Sequence, residues 1–131
     1  MFNAPFDTLS NVNKEIYIAG KDKVTYDDYN NEIVTYKKPI FIGMRNYQPL
    51  VGNDLEAYMR VYGETNNSIV RMFIDNYERG LIKQFDLAYL YGATPKGELV
   101  YGDNANYKVK TVKEQNTKIM ILFEEIIKEE Q

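Results

Sequence analysis

Hydrophobic and polar residues alternate along much of this chain, and the alternation predicts a series of short strands. "NKEIYIAG" sets Ile16 and Ile18 against Glu15 and Tyr17, the two-residue period of a half-buried strand. "KVTY" and "EIVTY" are β-rich runs on either side of "DDYNN". Asp and Asn tolerate positive φ and bond their own backbone in turns, so these runs predict a hairpin. Pro39 ends it, because proline cannot donate to a central ladder. "IFIGMRNY" places Ile40, Ile42 and Met44 on one face and Phe41 on the other. A strand apolar on both faces is central or lies against another chain. Gly43 marks a bulge or a bend within it.

The next segments are less uniform. "NYQPLVGND" has the chemistry of a loop, with Leu50 and Val51 exposed unless something covers them. "LEAYMRVYG" sets Leu55, Ala57, Met59 and Val61 against Glu56, Tyr58, Arg60 and Tyr62, a period of two that predicts a strand. "ETNN" is a turn. "SIVRMFIDNYERG" fits two patterns. Ile69, Met72, Phe73 and Tyr77 lie on one helical face with Ser68 as N-cap, yet "IVRMFI" is also a buried-strand run. Its neighbours are strands, which favours the strand. "LIKQFDLAYLYG" predicts another strand. "ANYKVKTV" turns Tyr107 and Val109 inward and Lys108 and Lys110 outward. "TKIMILFEEIIKEEQ" follows the turn "EQN". It carries Ile119, Ile121 and Phe123 on one face and Met120 and Leu122 on the other, then ends in a polar tail. Residues 1–12 lack clean periodicity and predict an irregular arm; residues 127–131 are the tail. The expectation is a single mainly β domain over residues 1–131: a small barrel or sandwich of six to eight short, mostly antiparallel strands with little helix.

Composition narrows the chemistry. The chain has 131 residues, 44% hydrophobic and 27% charged, a globular balance that supports a core without disulfides. Twelve tyrosines suit half-buried strand faces and subunit contacts alike. Cys and His are both absent, which removes thiol nucleophiles, disulfides, the usual structural zinc sites and the commonest general base. The formal net charge is −3, made of −1 over residues 1–60, −2 over 61–103 and 0 over 104–131. No segment has the clustered Lys and Arg of a phosphate-backbone binder. No apolar run is long enough for a membrane helix, and "MFNAPFDTLSN" lacks the pattern of a secretory signal.

Candidate motifs yield no catalytic constellation. Gly92 and Gly97 are five apart with Lys96 between them, as in a phosphate loop. Such a loop needs Lys and then Ser or Thr after the second glycine; here Glu98 and Leu99 follow, and the carboxylate would repel phosphate. "DYNNE" and "YGDNAN" are rich in oxygen but lack the alternating ligands and closing Glu of a calcium loop. The pairs Asp27–Asp28, Glu124–Glu125 and Glu129–Glu130 are sequence neighbours, which point to opposite faces of a strand. "YKVKTVK" interleaves aromatic and basic residues as a single-strand binder does, but such binders need several stacking aromatics in a basic groove. No cofactor and no metal site is expected.

On these residues the chain resembles the small head–tail connector proteins of long-tailed bacteriophages, the head-closure or stopper group. "NKEIYIAG" precedes "DDYNNEIVTYKKP", which looks like that group's Asp-x-x-Gly-Asn, β-run and Pro pattern. "RVYGE" before "FDLAYL" is similar to its Tyr-Gly turn and Asp-led strand. "NYKVKTVKEQNTKIMILFEEI" is similar to its closing hairpin, and the likeness covers roughly residues 14–125. Asn30 stands where Gly is typical, and Asn also tolerates positive φ. The resemblance implies a non-enzymatic virion protein, made in the host cytoplasm and placed in the phage neck. It implies a β-barrel that assembles with itself into a ring, a dodecamer in that group. Portal or adaptor protein would lie on one side and tail protein on the other, with double-stranded DNA passing without specific binding and no membrane involved. Tail-completion or adaptor protein of the same neck is the neighbouring reading, and a single-stranded nucleic-acid-binding barrel the reading from another class.

In some members of that group a long loop projects into the channel and blocks DNA exit. The candidate here is Gly43, Met44, Arg45, Asn46, Tyr47, Gln48, Pro49, Leu50, Val51, Gly52, Asn53 and Asp54, with an ordinary connecting loop equally open. Arg45 is the residue there that would meet phosphate in the channel, with an ordinary surface arginine the more usual reading of a lone Arg. Strands apolar on both faces need partners, which makes Phe41, Met120 and Leu122 the candidate subunit contacts.

Overall fold

Tyr47 and Arg45, separated only by Asn46, sit at opposite edges of one seven-stranded sheet, and that fact defines the architecture. The computed structural model describes residues 14–95 and 101–127. The irregular arm expected over residues 1–12, the tail beyond Ile127 and the segment with Lys96, Gly97, Glu98 and Leu99 lie outside the described residues. The strands are β1 (Lys14–Ala19), β2 (Lys21–Tyr26), β3 (Glu32–Tyr36), β4 (Ile40–Arg45), β5 (Tyr47–Pro49), β6 (Ile69–Asp75), β7 (Leu87–Tyr89), β8 (Tyr107–Glu114) and β9 (Lys118–Glu125). One α-helix, α1 (Gly52–Tyr62), lies between β5 and β6. The main sheet runs β4-β1-β7-β8-β9-β6-β5 and is antiparallel at every pairing. It curls until its two edges meet through Asn46, so the expected mainly β, barrel-like fold is what forms. β2 and β3 make a separate two-stranded sheet.

Curling has a local cause. Glu15 pairs Met44 and Tyr17 pairs Phe41, so Ile42 and Gly43 together oppose Ile16 alone. Gly43 has φ +98, a conformation that a side chain would strain. The bulge expected at Gly43 is therefore present. A second extra residue, Lys110, falls between the pairs Val109–Phe123 and Thr111–Leu122. Bulges bend the strand that carries them and increase twist, which lets a seven-stranded sheet curl into a half-barrel.

Alternation decides which residues fill the interior. Val70, Met72 and Ile74 of β6 and Ile119, Ile121 and Phe123 of β9 face inward, joined by Ile16, Ile18, Ile42, Leu90 and Val109. The ambiguous segment after Ser68 is thus a strand over Ile69–Asp75, followed by one short 3-10 turn at Asn76–Glu78. Tyr91 meets Tyr47 edge-to-face at 5.2 Å and Tyr107 at a tilt at 5.9 Å, so that the exposed Tyr91 ring covers two buried ones. The Tyr91 N–H donates to the Tyr47 hydroxyl at 2.7 Å, and the Tyr107 hydroxyl bonds Ser68 Oγ at 3.1 Å, so these phenols are satisfied where they are buried. Asn106 plays the part of a ladder residue: its side chain accepts from the Leu90 N–H and donates to the Leu90 C=O.

The strand expected over Leu55–Tyr62 is instead the helix α1. Leu55, Tyr58 and Met59 are also spaced i, i+3 and i+4, and they pack with Leu50 on Ile69, Met120 and Leu122 of the sheet's outer face. Ala57 and Val61, inward in a strand, are exposed, with Val61 74% accessible. Tyr58, outward in a strand, is buried. Asp54 in the first turn and Arg60 in the last complement the helix dipole, and Gly63 at φ +96 ends the helix by donating to the Met59 C=O at 2.8 Å. Residues 55–62 fit both periods, and the apolar outer face of the sheet at Ile69, Met120 and Leu122 is covered by the helical one.

Candidate subunit-contact surfaces

The expected loop over Gly43–Asp54 is not one loop. It comprises the end of β4, the single-residue corner at Asn46, the short β5 and the start of α1. Leu50, expected to be exposed, is buried under α1, while Val51 is exposed. Arg45 is committed within the chain. Its Nη1 and Nη2 donate to Glu78 Oε1 and Oε2 at 2.9 Å and 2.7 Å, and its Nε donates to the Ile42 C=O at 2.9 Å. That forked pair holds the Glu78 carboxyl below its ordinary value and raises the Arg45 guanidinium further. All three bonds go to this chain's own groups, which removes the reason for assigning Arg45 to phosphate.

The three candidate contacts divide. Leu122 is buried and Met120 is half-buried beneath α1, so this chain's own helix fills the apolar face that seemed to require a neighbour. The reason is the same misassigned element: a strand at Leu55–Tyr62 would have left that face bare. Phe41 is 53% exposed on the edge strand β4, with Tyr17 against it at 5.3 Å and with Ile40 and Met44 also exposed.

The larger exposed surface is the β2–β3 hairpin. Every residue of β2 is exposed, and Val24, Tyr26, Tyr29 and Ile33 present apolar surface on the arm. Its base is tied to the barrel where the Lys21 N–H donates to Asp86 Oδ1 at 3.0 Å, and the Lys37 N–H donates to the Gly20 C=O at 2.7 Å to close the hairpin's own neck. Tyr36 leans on the turn at Gly102, where φ is +86 and an added Cβ would lie 2.9 Å from Leu87 and 3.2 Å from Tyr36. Only glycine fits there without displacing the hairpin.

The tip is ordered by one carboxylate. Asp27 Oδ1 accepts from the Tyr29 and Asn31 N–H groups at 2.8 Å each, and Asn31 Nδ2 donates to Oδ2 at 3.2 Å. The bond from the Asn31 backbone is the main reason its pKa lies below the ordinary value. Asn30 has φ +67, the left-handed conformation expected from its place in the turn. The oxygen-rich "DYNNE" thus has a structural role, as a turn made by Asp27. In "YGDNAN", Asn104 likewise bonds the Thr94 C=O and Asn106 bonds Leu90.

Sequence reasoning missed a lysine-rich region at the base of this hairpin. Lys21, Lys37, Lys38 and Lys83 line one cavity beside Asp86, which is only 4% exposed. They come from three separate stretches, so segment charge could not reveal them. Burial drives the Tyr58 and Tyr91 phenols up to about 12. Among the described residues, no helix is long and apolar enough to cross a membrane. A scan of family models, a search of curated proteins and a search of solved structures each returned no match for this chain.

Proposed function

We propose that this chain is a structural subunit of a phage neck, forming a ring that joins the portal of the DNA-filled head to the tail and helps retain the DNA. The observation that carries the reading is the β2–β3 hairpin, an arm tied to the barrel at its base whose side chains Val24, Tyr26, Tyr29 and Ile33 stay exposed among the described residues. Exposed apolar surface on an ordered arm fits a protein that works by contact with neighbours. The order of elements on which the connector resemblance rests, strand, hairpin with an Asp-led turn and closing β8–β9 hairpin, is consistent with it. A tail-completion or adaptor role in the same neck uses the same surfaces. The nucleic-acid-binding reading gains one observation, Phe85 between Lys21 and Lys108, but a strand-tracking groove needs several stacking rings.

The test is the mass of the purified chain in solution, alone and with a phage portal ring. The expected result is a defined oligomer, alone or on the portal. A chain that stays monomeric and joins no neck assembly overturns the reading.

A further inference from the structure

Charge is sorted on this molecule in a way its total of −3 hides. Lys21, Lys37, Lys38 and Lys83 line a cavity of about 190 Å³ at the hairpin base. Asp86, in the same cavity, commits its carboxylate to the backbone, accepting from the Lys21 and Lys83 N–H groups at 3.0 Å and 2.9 Å. Ion pairs among the described residues join Arg45 to Glu78, Arg71 to Asp54, Arg79 to Glu114 and Lys110 to Glu124, and so include none of these four ammonium groups. The basic surface continues to Phe85, where Lys21 Nζ and Lys108 Nζ each lie 5.4 Å from the ring centroid, and it ends beyond Lys108 at Glu124 and Glu125, which line the neighbouring cavity with it. Phe85 is exposed and has φ +75, a strained conformation for a bulky residue, held by its N–H bond to the Val109 C=O at 3.0 Å. The chemistry complementary to this surface is anionic and aromatic.

The same chain carries that chemistry on the hairpin tip. Tyr26 and Tyr29 are exposed there, Tyr29 at 85%, among Asp27, Asp28 and Glu32. Asp27 fixes the turn, so the tip is presented as a preformed knob. The knob cannot reach its own chain's basic surface: Lys21 and Tyr26 stand at opposite ends of β2, about 17 Å apart for an extended strand. We infer that the acidic, tyrosine-bearing tip of one copy docks on the Lys21, Lys83, Phe85 and Lys108 surface of the next copy. The inference rests on the ring reading and names its contact. Two different surfaces meet, so the contact is heterologous and builds a ring where the rotation closes. Tyrosine supplies contact area at low entropic cost, and complementary charge steers encounter and fixes register. Added salt weakens such a contact.

The test is zero-length carbodiimide cross-linking of an equal mixture of isotopically heavy and light full-length chain, with mass measured in parallel. The expected product is a heavy–light peptide pair joining Asp28 or Glu32 to Lys21, Lys83 or Lys108. Reversing the tip with Asp28→Lys and Glu32→Lys weakens self-association roughly tenfold or more, and so does reversing the socket with Lys83→Glu and Lys108→Glu. Mixing the two reversed chains restores it, because each tip then faces a socket of opposite sign. Circular dichroism checks that each variant keeps its strands. Reversals that leave the mass unchanged, or a mixture that fails to recover, overturn the contact and leave the ring reading standing. A wild-type chain that is monomeric at millimolar concentration also overturns it, and the connector reading is then judged on portal binding alone. Binding of oligo(dT) that is lost on socket reversal, without any change in mass, assigns the lysines to nucleic acid instead.

Discussion

The curled sheet and the β2–β3 hairpin are built from the same sequence pattern and end in opposite physical situations. In the sheet, each inward position of β6 and β9 is buried against several others. On the hairpin, Val24 pairs with Val34 and Thr25 with Ile33, yet every residue of β2 stays exposed. Backbone pairing alone makes a two-stranded ribbon only marginally stable in water. The hairpin therefore takes its order from its anchored base and its Asp27 turn, whereas the barrel takes its order from burial. Alternating Val, Ile and Tyr identify a strand; they do not say whether the apolar face meets this chain's core or another molecule.

The largest test of that contrast is truncation of one aromatic side chain in each region. Phe123→Ala opens the centre of the barrel, where Phe123 is fully buried, and is expected to cost about 3–5 kcal/mol. Tyr29→Ala at the hairpin tip is expected to change stability by no more than about 0.5 kcal/mol, because Tyr29 is 85% exposed among the described residues. Thermal or urea unfolding of the two variants measures both. A large loss at Tyr29 would mean that the knob already has a partner in the isolated chain.

Between these extremes lies the helix, and it shows what the sequence could and could not disclose. β1, the hairpin and β8 were legible from a two-residue period ended by turn residues, β4 with its bulge at Gly43 and β9 from short runs apolar on both faces, and β6 only from its strand neighbours, since its own pattern fits a helix as well. Residues 55–62 satisfied the two-residue period as well, with Leu55, Tyr58, Met59 and Tyr62 satisfying the helical one. The helix had legible end signals in Asp54, Arg60 and Gly63, but the deciding factor was the bare outer face at Ile69, Met120 and Leu122, a tertiary fact. The lysine surface was illegible for a similar reason, since Lys21, Lys83 and Lys108 are far apart in the chain. Tyr58→Ala removes the helix's buried anchor and is expected to cost roughly 2–4 kcal/mol by unfolding, and to loosen α1 selectively. Amide exchange checks the second point: protection is expected to fall in α1 while β9 keeps its own.

A smaller effect is expected at the corner where the sheet edges meet. Arg45 grips Glu78 with both nitrogens, with side chains 22% and 16% accessible. Glu78→Gln is expected to cost about 1–3 kcal/mol at neutral pH. The sign with pH follows from a folded-state pKa held below the ordinary value of 4.5, chiefly by the Arg45 hydrogen bonds. The carboxylate's contribution is complete above 4.5 and is lost as pH falls through the lower folded value. The gap between wild type and variant should therefore be constant near neutrality and narrow in acid. A gap that holds its size below the folded value would mean that the corner depends on the shape of Glu78 and not on its charge.

The smallest predicted change returns to the hairpin tip. Asn30 occupies the left-handed position, φ +67, where the connector pattern has glycine. Asn tolerates this conformation with little strain, so Asn30→Gly relieves little in the folded chain and adds freedom to the unfolded one. The two effects oppose each other, and stability should change by less than about 0.5 kcal/mol in either direction. Asn30→Val is a different matter, because a β-branched side chain strains the left-handed region, and the turn should then open locally. Loss of the Asp27 bonds to Tyr29 and Asn31 would appear as faster amide exchange at those two residues while the melting of the barrel stays unchanged. A variant that instead lowered the melting temperature of the whole chain would show the hairpin and the barrel to be one cooperative unit, and the contrast drawn between them would fail.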